Sequence, residues 1–253
     1  MFTYLPEDSV LFSCDFFGAH FCHEALFDDQ VGDYLQTFRY YFDHIFRPFK
    51  EHVRNGLQAI AGLPLSLIAP SHGPLLRSGI ARAQQQYQEW ASLPAPVPGG
   101  SLLVFFVSAY GLTKQLALAV AEGAQAAGIR AEVHDLTETD IPGLLDRIEA
   151  ADGLAVGSCT INGDAVKPVW DLLSSLATLK LKGKWAAAFG SYGWSGEAVP
   201  MLEERFKSLK FRIAAPGVKV KFTPKTEDME AARSLGRMLG EKIRMENQGG
   251  SKA

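Results

Sequence analysis

The C-terminal three-fifths of the chain is written in unbroken apolar runs separated by amphipathic stretches. Leu102 to Val107, Gly153 to Gly157 and Trp185 to Phe189 carry no polar alternation, which is the pattern of parallel strands covered on both faces. Between and after them, helical spacing predicts helices over Thr113–Ala127, closed by Gly128, and over Ile141–Ala150, Val166–Leu176, Ala198–Leu209 and Glu227–Met245. Arg130 to Asp135 alternates as a half-buried strand, and Phe211 to Ala214 and Lys219 to Phe222 read as two more. Strand and helix thus alternate about five times in roughly 145 residues, the signature of a doubly wound parallel α/β sheet.

The N-terminal part follows no such rhythm. Val10 to Ser13 and Leu65 to Ala69 are short apolar strands, Asp33 to Arg54 is an amphipathic helical stretch that Pro48 should break, and Ser78 to Ala91 is a helix. Prolines at 94, 96 and 98, followed by a glycine pair, can propagate neither a helix nor a central strand. The expected division is therefore 1–92, a linker over 93–100, a second domain over 101–246, and a disordered tail over 247–253.

Composition changes this picture little. A net charge of −3 with both signs scattered gives no electrostatic case for nucleic acid or an anionic membrane surface. No apolar run is long enough to span a bilayer, and the first residues lack the basic and apolar regions of a signal peptide. The three cysteines, Cys14, Cys22 and Cys159, make no disulfide framework and no C-x-x-C pair, so a reducing cytoplasm is the expected location. Cys14 and Cys22 are expected to be small buried hydrophobes.

Ligands of an open α/β sheet bind beyond the carboxyl ends of its strands, so the loops leaving the three buried runs carry the candidate chemistry. The first, Ser108-Ala109-Tyr110-Gly111-Leu112-Thr113, joins a strand to a helix N-terminus with hydroxyls and a glycine. Such a turn points backbone N–H groups at one spot and suits a phosphate. It is neither a G-x-x-x-x-G-K-[ST] loop nor a G-x-G-x-x-G loop, and it lacks the acidic pair of a phosphate-accepting receiver. A phosphate held by neutral dipoles suits FMN. The second loop is Gly157-Ser158-Cys159-Thr160-Ile161-Asn162-Gly163, and the third Gly190-Ser191-Tyr192-Gly193-Trp194-Ser195-Gly196. A flat isoalloxazine needs an aromatic face and backbone donors at its polar edge. Tyr192 and Trp194 alone could equally be loop aromatics packed on the core; three such loops on successive strands favour the ligand.

With Pro70-Ser-His-Gly-Pro-Leu-Leu-Arg77, the runs Ser108–Thr113 and Phe189-Gly-Ser-Tyr-Gly-Trp-Ser-Gly-Glu-Ala198 closely resemble the flavodiiron proteins, also called A-type flavoproteins. The resemblance covers the chain to Met245. It implies an α/β fold in which a flavodoxin-like doubly wound parallel sheet follows a partial metallo-β-lactamase-like (αββα) segment. It implies that Ser108, Ala109, Tyr110, Gly111, Leu112 and Thr113 hold the FMN phosphate. Ser158, Cys159, Thr160, Ile161 and Asn162 would line one edge of the ring, and Ser191, Tyr192, Gly193, Trp194 and Gly196 the other. Leu112 replaces a usual polar residue and Cys159 a usual proline; neither change removes a backbone donor. Val218-Lys-Val-Lys-Phe-Thr-Pro224 looks most like the oxygen-reducing subgroup of phototrophs, which carries a further flavin reductase domain.

By the same resemblance Asp15, in Leu11-Phe-Ser-Cys-Asp15, matches a carboxylate that bridges two irons, and His72 matches the last histidine ligand. A carboxylate and an imidazole suit non-haem iron. Tyr40 to Pro48 resembles the helix between these ligands, and Leu76 stands where other subgroups have a tryptophan. The family's H-x-E-x-D-H run occurs nowhere in the sequence, so iron is expected only if the missing ligands are supplied elsewhere. Cys14, Asp15, His20, Cys22 and His23 crowd together but lack the paired spacing of a zinc site. The implied function is FMN-dependent electron transfer of the kind used to reduce O2 to water or NO to N2O. It would involve a separate redox donor protein or flavin reductase, in a homodimer or in a complex with a chain carrying the missing N-terminal half. Alternatives are a stand-alone flavodoxin-like carrier and, less in keeping with the absent histidine motif, a metallo-hydrolase.

Overall fold

The computed structural model describes residues 1–92 and 97–249. The chain falls into two compact units, Met1–Leu93 and Pro94–Ala253. The first half of the segment expected as a linker, residues 93–96, lies outside the described residues; its described end is a turn closed by the Gly100 N–H donating to the Val97 carbonyl.

In the first unit the elements are β1 (Thr3–Leu5), β2 (Val10–Cys14), α1 (Leu35–Tyr41), α2 (Lys50–Ile60), β3 (Leu67–Pro70) and α3 (Ile80–Trp90). The break expected at Pro48 is instead a change of helix type. A π-turn over Phe42–Phe46 and a 3-10 turn over Arg47–Phe49 carry the chain from α1 into α2. Pro48 opens the 3-10 turn, where its missing N–H leaves no bond unmade. The strands form a sheet ordered β1-β2-β3, antiparallel then parallel. Leu11 and Ile68 face a buried aromatic core of Phe16, Phe17, Phe38, Phe42 and Tyr87. The opposite face is bare: Leu5 and Phe12 are 39% and 48% exposed. Strand alternation also places Cys14 outward, and Cys22 is exposed, so neither is the buried hydrophobe expected from composition.

The second unit contains β4 (Ser101–Val107), α4 (Leu112–Ala126), β5 (Arg130–Asp135), α5 (Ile141–Ala150), β6 (Gly153–Ser158), β7 (Thr160–Ile161), β8 (Asp164–Ala165) and α6 (Lys167–Ser175). It continues with β9 (Trp185–Tyr192), α7 (Ala198–Ser208), β10 (Arg212–Ile213), β11 (Val218–Lys221) and α8 (Thr226–Gly249). Five strands run in the order β10-β9-β6-β4-β5, with β11 also on β9, and every pairing is parallel. The chain leaves β4 for β5 on one side and then crosses to β6 on the other, which makes a switch point between β4 and β6.

Both faces of this sheet are covered. On one, Leu103, Phe105, Leu154 and Val156 pack beneath α5, α6 and α7; on the other, Leu102, Val104, Ala155 and Phe189 pack beneath α4 and α8. Helices α4 and α8 approach so closely that a Cβ on Gly123 would strike the Arg233 carbonyl, and one on Gly236 the Val120 carbonyl. The expected tail begins too early, because residues 247–249 are still helical. Glu246 anchors this end of α8, accepting from the Trp185 indole at 2.9 Å and pairing with Arg212.

Candidate functional site

Three loops open at the carboxyl ends of β4, β6 and β9, two of them flanking the switch point. Loop one ends on Gly111, which caps α4 at φ +79, a left-handed conformation that glycine adopts without strain. No side chain caps the helix, so its first N–H groups are directed at the space above β4. The Ser108 hydroxyl is buried with no hydrogen-bond partner, and Tyr110 stands 90% exposed. Nothing lies within 4 Å of where a Cβ on Gly111 would sit. Donors and open space meet at Gly111, and the partnerless hydroxyl lies three residues before it in the same loop.

Thr113 has a different position from the one its place in the loop suggests. It is fully buried, and its hydroxyl is 2.8 Å from that of Ser191 on β9. That bond ties loop one to loop three. Ser158 is similarly occupied: its hydroxyl donates to the Cys159 carbonyl at 2.7 Å and accepts from the Val166 N–H at 3.2 Å. Both residues shape the loops from within, and Cys159 is buried beside them.

Beyond Ser158 the second loop forms a two-strand hairpin, β7 to β8, turning through Asn162 and Gly163 at φ +53 and +74. Two successive left-handed residues, Asn then Gly, make the tight turn that suits hairpin twist. Thr160, Ile161, Asn162 and Gly163 face Gly193, Trp194 and Ser195 across a cavity of about 370 Å³. Trp194 is 95% exposed, so its ring has no protein surface against it. Tyr192 turns back on its own loop, its ring filling the place of a Cβ on Gly196. Of the residues singled out in the sequence, Thr160, Ile161, Asn162, Gly193 and Trp194 therefore line one cavity. Ser158, Ser191, Tyr192 and Gly196 support its walls.

Sequence reasoning missed Gly163 and Ser195 in this lining, and it missed Glu197. Glu197 immediately precedes α7, at its N-cap position, and its Oε2 is buried without a partner. The hairpin turn Asn162-Gly163 could have flagged the first; nothing local flags the burial of Glu197.

In the N-terminal unit Asp15 and His72 do meet, with the His72 Nε2 3.5 Å from the Asp15 Oδ1, both about half exposed. Burial, with the Asp15 charge beside it, pushes the neighbouring Tyr41 phenol up to about 12. Among the described residues, no group of three or more His, Cys, Asp and Glu side chains is placed to hold a metal ion. Larger cavities of about 480 and 510 Å³ lie in this unit, but the first is lined by Asp28, Tyr34 and Arg82 and the second chiefly by aliphatic side chains. No described helix is long and apolar enough to cross a membrane.

The flavodoxin family model matches residues 104–236. Among curated proteins, the type A flavoprotein fprA of Rhodobacter capsulatus is 45% identical over 245 residues, 95% of this chain and 56% of its own length. A putative diflavin flavoprotein of Nostoc is 32% identical over 234 residues, 92% of this chain and 41% of its own. Among solved structures, a flavodiiron protein from Giardia intestinalis superposes with a TM-score of 0.65 at 28% identity, over 100% of this chain and 62% of that one. The chain spans roughly half the length of the curated relatives it matches.

Proposed function

The chain belongs to the flavodoxin family and, within it, to the flavodiiron (type A flavoprotein) proteins, and on that premise we propose that it binds FMN and passes electrons through it. One observation carries the reading. The three loops at the carboxyl ends of β4, β6 and β9 leave unmet the groups that FMN would meet. These are the partnerless Ser108 hydroxyl, the uncapped N-terminus of α4 with open space at Gly111, and the bare face of Trp194 above the 370 Å³ cavity. A buried hydroxyl without a partner is costly, and its place in the loop that leads into an uncapped helix end fits a phosphate site.

Ser108 and the backbone of Tyr110 to Thr113 would hold the phosphate. Thr160 to Gly163 and Gly193 to Ser195 would hold the ring edge, with Trp194 shielding one face from water. When bound, FMN supplies one- and two-electron redox chemistry. The protein's own part is to orient the ring and to set the charge around it. Adding the protein to FMN should quench flavin fluorescence to a stoichiometry of one per chain; a lack of quenching with no rise in melting temperature would refute the reading.

The residues present do not fit a diiron centre. Asp15 and His72 are one carboxylate and one imidazole, half exposed, and they leave most of two coordination spheres to water. Reduction of O2 or NO at iron therefore belongs to an assembly that supplies further ligands. The bare outer face of the β1-β2-β3 sheet, with Leu5 and Phe12 exposed, favours a second polypeptide or another copy of the chain covering it. The donor would be a separate redox protein or flavin reductase, and the location the cytoplasm. Sedimentation velocity of the wild type against a Phe12→Glu variant tests the assembly; an unchanged monomer in both would count against it.

A further inference from the structure

The amino ends of β6, β9 and β10, at the edge of the sheet opposite the three loops, frame another cavity of about 370 Å³. Asp152, Lys182, Lys184, Trp185, Arg212 and Glu246 line it. Cations outnumber carboxylates here, and a further one, Lys242, stands 4.7 Å from the centre of the Trp185 ring. Both carboxylates are engaged. Asp152 accepts from the Ser101 N–H at 2.8 Å, and Glu246 from the Trp185 indole and Arg212. The Lys182 ammonium has no hydrogen bond or ion pair among the described residues. Lys184 is held differently: its Nζ donates to the Glu149 carbonyl at 2.6 Å and to the Ala151 carbonyl, both at the end of α5. Among the described residues no carboxylate lies within ion-pair distance of it. A neutral amine has two N–H bonds, enough for these two acceptors, and keeps a lone pair; an ammonium has a third N–H that neither carbonyl takes. Burial pushes the Lys184 ammonium below its ordinary value of 10.5, outweighing the charges of Asp152 and Glu149, which act the other way.

We propose that Lys184 is a site of acylation by acyl phosphates, with Lys182 and Arg212 drawing the phosphate into the cavity. A desolvated lysine beside other cations is the arrangement that activates an amine as a nucleophile. Its nitrogen attacks the acyl carbon. The C–N bond forms, the C–O bond to phosphate breaks, inorganic phosphate leaves, and the surplus proton on nitrogen goes to solvent. No further reactant is required. The product amide keeps one N–H for one of the two carbonyls, and the cavity has room for a short acyl group. A lysine that only capped α5 would instead be a slow target, because its two hydrogen bonds hold it in place.

The test incubates the full chain with acetyl phosphate near neutral pH and follows initial acetylation at each lysine by peptide mass spectrometry. Lys184 should react about tenfold faster than the exposed Lys182 and Lys225, because more of it is neutral. The lead should narrow as pH rises toward the ordinary lysine value of 10.5, and vanish in urea-unfolded chain. K182Q should slow acetylation of Lys184 several-fold, and K182R should restore it, since the phosphate answers to charge. A Lys184 that reacts no faster than Lys182 and Lys225 overturns the proposal. So does a lead that persists in urea, which would belong to the local sequence, or a K182Q rate equal to that of the wild type.

Discussion

The two units of this chain treat their sheets in opposite ways. In the C-terminal unit every central strand is buried on both sides, between α5, α6 and α7 on one face and α4 and α8 on the other. In the N-terminal unit the aromatic core covers one face of a three-stranded sheet and leaves Phe12 and Leu5 in solvent. The candidate sites differ correspondingly. In the loops after β4, β6 and β9 two side-chain oxygens, of Ser108 and Glu197, are buried without partners, and the loops after β6 and β9 line one cavity. Asp15 and His72 are half exposed, beside each other and Tyr41, with no third metal-ligating side chain among the described residues placed to complete a metal site. A site is complete when the scaffold holding it is complete, because only a fully packed frame can fix donors where a ligand will meet them.

The sharpest way to break the comparison is to unpack the better-covered sheet. In Gly236→Val the new side chain meets backbone of α4, which cannot move aside as a flexible side chain would. It should cost on the order of 4 kcal/mol or more and unfold the C-terminal unit, as seen in thermal unfolding followed by circular dichroism. A melting curve like the wild type's would mean that α4 and α8 are not held at this distance.

A substitution at Gly111 separates site from frame. A Cβ there meets nothing, so Gly111→Val costs only the strain of a left-handed residue, about 1–2 kcal/mol of stability. It should nonetheless abolish FMN binding, since the side chain occupies the space before the helix N-terminus. Retained FMN affinity would place the phosphate elsewhere.

Next in size is the contrast between two tryptophans. Trp194 is 95% exposed in the third loop, whereas Trp170 is partly buried against the core and donates its indole N–H to Asp164 at 3.0 Å. Trp194→Ala should weaken FMN by about 1–3 kcal/mol and leave the melting temperature nearly unchanged. Trp170→Ala should do the reverse. Equal affinities in the two variants would mean that the third loop does not face the ring.

The smallest effect belongs to the N-terminal unit. Burial tends to raise the Asp28 carboxyl, but the backbone N–H groups of Arg77, Ser78 and Gly79 outweigh it and hold the group below its ordinary value. A carboxyl lowered on folding contributes stability that is present above its unfolded value, 3.8, and is lost as pH falls through the folded one. Asp28→Asn should destabilise this unit by about 0.5–2 kcal/mol near neutrality. The gap to the wild type should shrink in acid; a gap constant from pH 7 to pH 2 would remove Asp28 as its cause.

Much of this was legible in the sequence where local pattern and tertiary demand agree. The strand Arg130–Asp135 and the helix Ile141–Ala150 sit where periodicity put them. The misses are non-local. β1 exists because Thr3 to Leu5 pairs with β2 and the Tyr4 hydroxyl reaches the Pro64 carbonyl, neither of which a three-residue pattern can announce. β9 runs on through Gly190 and Ser191 to Tyr192, a stretch with loop-like composition, because β11 pairs with it there. α8 outlasts its apolar spacing because Glu246 is held by Trp185 and Arg212. In the site, the glycines and hydroxyls declared the loops, but only packing decides which hydroxyls are spent, as in Thr113 and Ser158, and which are left over, as in Ser108.

The most direct test of the asymmetry measures both cofactors in one sample. After reconstitution with excess FMN and ferrous iron under anaerobic conditions and then desalting, flavin and iron are quantified per chain. The account predicts one FMN and well below one iron. A colourless protein, or one holding two irons tightly, would contradict it.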